Sequence, residues 1–190
     1  AGAGGSERDP WRLHVTARRI EYDAAWLALR QRRAANVTEG ELGVLTAECL
    51  AHLEVLARLA PADPWAPRAR AIVLASAGRN AEALAGLERA AADFPREVDV
   101  LEDYRVLVTR LHGEFEASTR LAAFVAAHEW SAAAHLSHGW ALYELWRAKR
   151  HARGDPIFHA RAEADRARLL DPGLHARVQK LEFACDSSNP

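Results

Sequence analysis

Two prolines 34 residues apart, Pro61 and Pro95, bracket the stretch that most restricts this chain. Between Asp63 and Asp99 the sequence reads DPWAPRARAIVLASAGRNAEALAGLERAAADFPREVD. It predicts one helix from Trp65 to Ala77, a turn at Gly78-Arg79, and a second helix from Asn80 to Asp93. Gly78 can take the positive φ that ends a helix, and Asn80 can accept from the first amides of the next. Neither helix is long enough to persist alone in water, so each must bury a face on a neighbour. Small residues (Ala71, Ala75, Ala83, Ala90, Ala91) stand where backbones approach. Ile72, Leu74, Leu84 and Leu87 recur at steps of three and four, as an apolar stripe requires. Pro95 closes the unit, because it cannot continue a helix and holds Phe94 extended.

The run G-x-N-x-E-A-L-x-x-L-x-x-A from Gly78 to Ala90, followed by Pro95, resembles the second half of a tetratricopeptide repeat (TPR). In the first half, Trp65 lies near the aromatic position, while Arg70-Ala71 replaces the usual Leu-Gly. The spacing of Pro61 and Pro95 equals the period of that repeat. The resemblance is clearest over residues 64–130, fair over 131–172 and weak over 9–61. It implies an all-α fold, a right-handed α-solenoid of three to four antiparallel helix pairs with a terminal capping helix.

Composition agrees with helices throughout. Of 190 residues, 49% are hydrophobic and 27% charged, with Ala, Leu, Arg and Glu dominant and no β-branched runs to build strands. The formal charge of −1 points to neither nucleic acid nor an anionic membrane. Apolar runs fall well short of the ~20 residues that cross a bilayer, so membrane insertion is not expected. The compartment stays open, with the cytoplasm ahead of export. Arg far outnumbers Lys, whose only examples are Lys149 and Lys180, and this reads as a genomic base-composition bias. Cys49 and Cys185 are expected as free thiols.

In chain order, residues 1–8 read as a flexible tail and 9–185 as one helical-repeat domain. Asp9-Pro10 starts a long helix to about Ala35, with Trp11, Val15, Ile20, Tyr22, Trp26, Leu27 and Leu29 scattered round it. A helix covered on two sides reads this way. After Asn36-Val37, Thr38 and Glu41 form a capping box for a helix ending before Pro61. A third unit spans Glu97 to about Trp130 with its turn at His112-Gly113-Glu114. Ser131 caps a helix running to about Arg153. Gly154-Asp155-Pro156 breaks it and starts a helix to Leu170, whose ARAEADRARLLDP again resembles the end of a repeat. Residues 173–184 form the shielding last helix, and 186–190 a tail.

Motifs for chemistry are missing. His135 and His138, with His128 and Glu129 nearby, suggest nitrogen and carboxylate metal ligands, but neither C-x-x-C nor H-E-x-x-H occurs, so packing histidines are the simpler reading. Cys49 with His52 could form a thiolate pair, yet a buried structural cysteine fits its helix better. There is no G-x-S-x-G and no phosphate loop. Asp99, Glu102 and Asp103 sit at a helix start and favour its dipole. Arg147, Lys149, Arg150, His151 and Arg153 do the same at a helix end.

The sequence therefore implies a non-catalytic interaction scaffold with no cofactor and no metal site. In the resembling family the first helix of each pair lines a concave groove. This places Trp65, Arg68, Ile72, Val100, Asp103, Leu107 and Arg110 there, able to hold a protein or peptide partner by apolar anchors and Arg–carboxylate pairing. Because the only lysines are Lys149 and Lys180, a grip on a C-terminal carboxylate through Lys and Asn is disfavoured. Two alternatives stand beside this reading. One is a permanent subunit of a larger complex docked through Trp140, Tyr143 and Trp146; the other is a His-dependent metal-binding protein.

Overall fold

A computed structural model describes residues 10–35, 38–148 and 156–187, and among these every regular element is helical. The helices are α1 (Pro10–Ala34), α2 (Glu39–Leu59), α3 (Trp65–Ser76), α4 (Asn80–Asp93), α5 (Val98–His112), α6 (Glu114–Ala127), α7 (Ala132–Ala148), α8 (Pro156–Leu170) and α9 (His175–Ser187). A short 3-10 turn at Pro172–Leu174 leads into α9. The expected Asp9 cap, the Asn36-Val37 loop, residues 149–155 with most of the basic run, and the outermost tail residues lie outside the described residues. Residues 186 and 187, read from sequence as tail, are the last turn of α9.

The chain forms two compact units, Ala1–Gly86 and Leu87–Pro190, so the boundary falls within α4. In the first unit α2 packs between α1 and α3. Its core joins Tyr22 and Leu29 of α1, Cys49, Leu53 and Leu56 of α2, and Ala66, Ala69 and Val73 of α3. The small residues are on α3, and they let its backbone come close to the larger side chains of α2. Thr38 caps α2 by accepting from the Glu41 amide at 3.4 Å. The Glu41 carboxylate takes the Thr38 hydroxyl rather than the Thr38 amide, so only half of the expected box forms. Gly78, at φ 77°, ends α3 in the left-handed region, and the Arg79 amide turns back to the Leu74 carbonyl at 2.9 Å. The Arg79 carbonyl then accepts from Ala83, which makes Asn80 the first residue of α4 and moves the cap one residue upstream of the sequence expectation.

In the second unit α5 packs on α6 and on α7, α6 on α7, α7 on α8, and α9 against both α7 and α8. This is the contact order of successive helix pairs closed by a final helix. Gly113, at φ 87°, makes the whole turn from α5 to α6. Ser131 is fully buried. Its hydroxyl oxygen accepts from the Ala134 amide at 3.0 Å and its proton goes to the Pro95 carbonyl, so one side chain caps α7 and ties it to the loop before α5. Gly139 sits where α7, α8 and α9 converge. A Cβ there would lie 2.7 Å from Leu181 Cδ2 and 3.2 Å from the Ala160 carbonyl oxygen, so glycine sets the approach of the three helices. Around it Ala160, Ala164 and Ala167 of α8 meet Val178, Leu181 and Cys185 of α9, which shields the last apolar face as expected.

Candidate functional site

On the second unit a cavity of about 300 Å³ opens where α5, α7 and α9 adjoin. Val98 and Leu136 give its apolar lining and Trp140 an indole, while Asp99, Glu102, Arg105, Arg177 and Lys180 supply charge. Trp140 is half-buried and meets the Tyr143 ring edge-on at 5.8 Å, which fixes its plane. Asp99 and Glu102 lie three apart on α5, Arg177 and Lys180 three apart on α9, so each pair occupies one face of its helix. Arg177 bridges both acids, at 2.8 Å to Asp99 and 3.5 Å to Glu102. Lys180 is exposed and has no ion-pair partner among the described residues. Arg105 is 6% exposed; its guanidinium donates to Glu144 of α7, but its Nε is buried without a hydrogen-bond partner among the described residues. With Glu144 set against Arg105 and both Asp99 and Glu102 against Arg177, Lys180 is the lining cation that has no ion pair among the described residues.

Beside the cavity, Glu163 of α8 divides its carboxylate between two imidazoles of α7. His135 Nδ1 meets Oε2, and His138 Nδ1 meets Oε1 at 3.1 Å; the other nitrogen of His135 pairs with the Glu129 carbonyl at 2.9 Å. Burial pushes this carboxyl up, but hydrogen bonds from His138 and His135 outweigh it and hold it below the usual range. The imidazoles thus serve as a link between helices. Among the described residues no group of three potential ligands is arranged to hold a metal. His128 stacks on Phe124 at 4.2 Å, with Arg96 over Trp130 at 5.0 Å close by.

Cys49 is fully buried, and burial with the Glu48 charge pushes its thiol up to about 11. His52 Nδ1 faces Glu21 at 3.4 Å. The thiolate pair considered from sequence is therefore replaced by a buried thiol and a separate histidine–carboxylate contact. Cys185 is equally buried and its thiol is raised by burial too.

The residues expected in a groove divide. Trp65 meets the Tyr22 ring edge-on at 5.1 Å and lies under the Arg19 guanidinium at 4.6 Å, which makes it a packing residue of the first unit. Arg68 is half-buried and Ile72 is 40% exposed on α3. Val100 and Leu107 are core residues of α5, whereas Asp103 is half-buried and Arg110 exposed. Of the three α7 aromatics expected at a docking surface, Trp140 alone lines the cavity. Tyr143 and Trp146 point inward, at 9% and 7% exposure, and drop out of the docking surface first read from sequence. Val98, Arg105, Arg177 and Lys180 were not legible as site residues, although the matched i, i+3 acids and bases are visible in the sequence.

No protein-family model and no curated protein matches the chain. Among solved structures, the human IFIT1 dimer with m7Gppp-AAAA, a tetratricopeptide-type protein, is similar at TM-score 0.51 and 18% identity. The match covers 74% of this chain and 32% of that one, so this chain spans about a third of its length. The fold is tetratricopeptide-like. Similar at lower scores are MamA 41-end from Desulfovibrio magneticus RS-1 (TM-score 0.44, 18% identity, 89% and 86% of the two chains) and a tetratricopeptide repeat protein from Parabacteroides merdae (0.40, 16%, 86% and 61%). In the tetratricopeptide-like scheme α5 and α7 are the first helices of successive pairs, and α9 follows them as the cap. The cavity lies on these three. No helix among the described residues is long and apolar enough to cross a membrane.

Proposed function

We propose that this protein is a non-catalytic protein-interaction module that holds a short segment of a partner in the cavity on α5, α7 and α9. The observation that carries this reading is Trp140, a half-buried indole that packs on the core with one part of its surface and lines a charged recess with the rest. A recess with one aromatic wall, an apolar lining and a lysine that has no ion pair among the described residues suits a segment that presents an apolar side chain next to a carboxylate. The apolar group packs on Trp140, and the carboxylate pairs with Lys180. Asp103 and Arg110 extend the outward side of α5, and Arg68 with Ile72 offer a separate surface on α3.

Selection of peptides from a random displayed library against the full chain tests the proposal. Winners are expected to carry Asp or Glu beside a bulky apolar residue. Trp140→Ala should weaken them at least about tenfold, as loss of an aromatic anchor does, and Lys180→Glu should remove the preference for acids. Winners without that pattern, or indifferent to both substitutions, reject the reading. The burial of Tyr143 and Trp146 leaves permanent docking through those rings without support.

A further inference from the structure

Helix α1 is apolar on two opposite sides. Its inner side presents Val15, Tyr22, Ala25, Trp26 and Leu29 to the first-unit core. Diametrically across, Leu13, Ile20 and Leu27 follow one another at seven-residue intervals and are 56%, 63% and 55% exposed. Ala17 and Ala24 fall between them, followed by Gln31 and Ala34, all exposed. The steps alternate four and three along the whole helix, which is the seam of a coiled coil. The first helix therefore has one side packed on α2 and an equally regular side that is exposed among the described residues.

We infer that a second copy of this chain covers this seam, through an antiparallel α1–α1 contact. Two features of the helix select a copy of itself. First, large and small residues alternate. With Ala24 opposite Leu27 of the second copy, each Leu27 meets an alanine, Ile20 meets Gln31, Ala17 meets Ala34, and Leu13 lies past the end of the facing helix. Second, charge repeats the match. Asp23 and Arg30 flank the same side of the seam one heptad apart, both exposed and neither with an ion-pair partner among the described residues. In that antiparallel register each Asp23 stands against Arg30 of the other copy, which gives two equivalent pairs, the self-complementarity of a two-fold interface. A parallel arrangement sets Asp23 against Ala28 and makes no such pair. The other arginines of α1 (Arg12, Arg18, Arg19, Arg32, Arg33) lie off the seam. Because Glu21 and Asp23 border its middle, the seam is a poor match for an anionic lipid surface.

The test is sedimentation equilibrium of the full chain. The native protein should dimerise at tens of micromolar. Leu27→Glu, at a position exposed in the subunit, should give a folded monomer with an unchanged helical circular dichroism spectrum. Asp23→Arg and Arg30→Asp should each weaken the dimer about tenfold, and the double variant should restore it. A native chain that stays monomeric at 100 µM overturns the inference, whether or not it then binds anionic vesicles or another protein's helix. A dimer that survives Leu27→Glu, or a double variant no better than the single ones, overturns it as well. None of these outcomes bears on the peptide site of α5, α7 and α9.

Discussion

Gly86 and Gly139 are both glycines inside helices, and they should respond to substitution in opposite ways. An added Cβ at Gly86 meets nothing within 4 Å, so Gly86→Ala should raise stability by about 0.5–1 kcal/mol by removing glycine's conformational freedom from the unfolded chain. At Gly139 the same atom strikes Leu181 and approaches the Ala160 carbonyl. Gly139→Val should cost about 1–3 kcal/mol by overpacking. Urea unfolding curves of the two variants measure both signs. The cysteines give a second check at this scale. With the Cys49 thiol raised to about 11 and the Cys185 thiol also raised, a thiol reagent at pH 8 should label neither in the folded protein and both in denaturant. Rapid native labelling of Cys49 would mean its helix does not pack as described.

The junction of α7 with α8 makes its prediction at the scale of elements. Because Glu163 is held below its ordinary value, its link to His135 and His138 stabilises the fold fully above the unfolded carboxyl range. That contribution is lost as pH falls through the lower, folded value. Thermal unfolding of Glu163→Gln should therefore show a deficit against the native protein near neutrality that shrinks below about pH 4.5. A deficit that grew on acidification would contradict the network. Much of this architecture was legible in the sequence. Gly78 and Gly113 mark turns that only glycine makes comfortably, and Ser131 sits where the α7 cap must be, so local chemistry alone placed α3 and α4 within a residue or so and the starts of α6 and α7. The facing of each helix was harder to read. Val100, Leu107, Tyr143 and Trp146 sit at helical spacings that fit either an inward or an outward face. The choice depends on which neighbours arrive, and a single chain's periodicity does not carry that. Helix α1 shows the same limit, since its scattered apolar positions read as a helix covered on two sides, whereas one side packs on the first-unit core and the other is exposed.

At the scale of the whole molecule, the account rests on a tetratricopeptide-like order of helices that places α5, α7 and α9 side by side and leaves Trp140 at the edge of a charged recess. The site escaped the sequence reading because its charges come from helices about eighty residues apart, with Asp99 and Arg177 meeting at 2.8 Å. Only the packing of α9 joins them. The most direct measurement is a heteronuclear NMR titration of the full chain with a peptide taken from the displayed library. The account predicts that the Trp140 indole and the amides of Val98, Asp99, Glu102 and Lys180 shift together and saturate at one peptide per chain. Shifts confined to other helices, with the Trp140 indole unmoved at saturation, would contradict it.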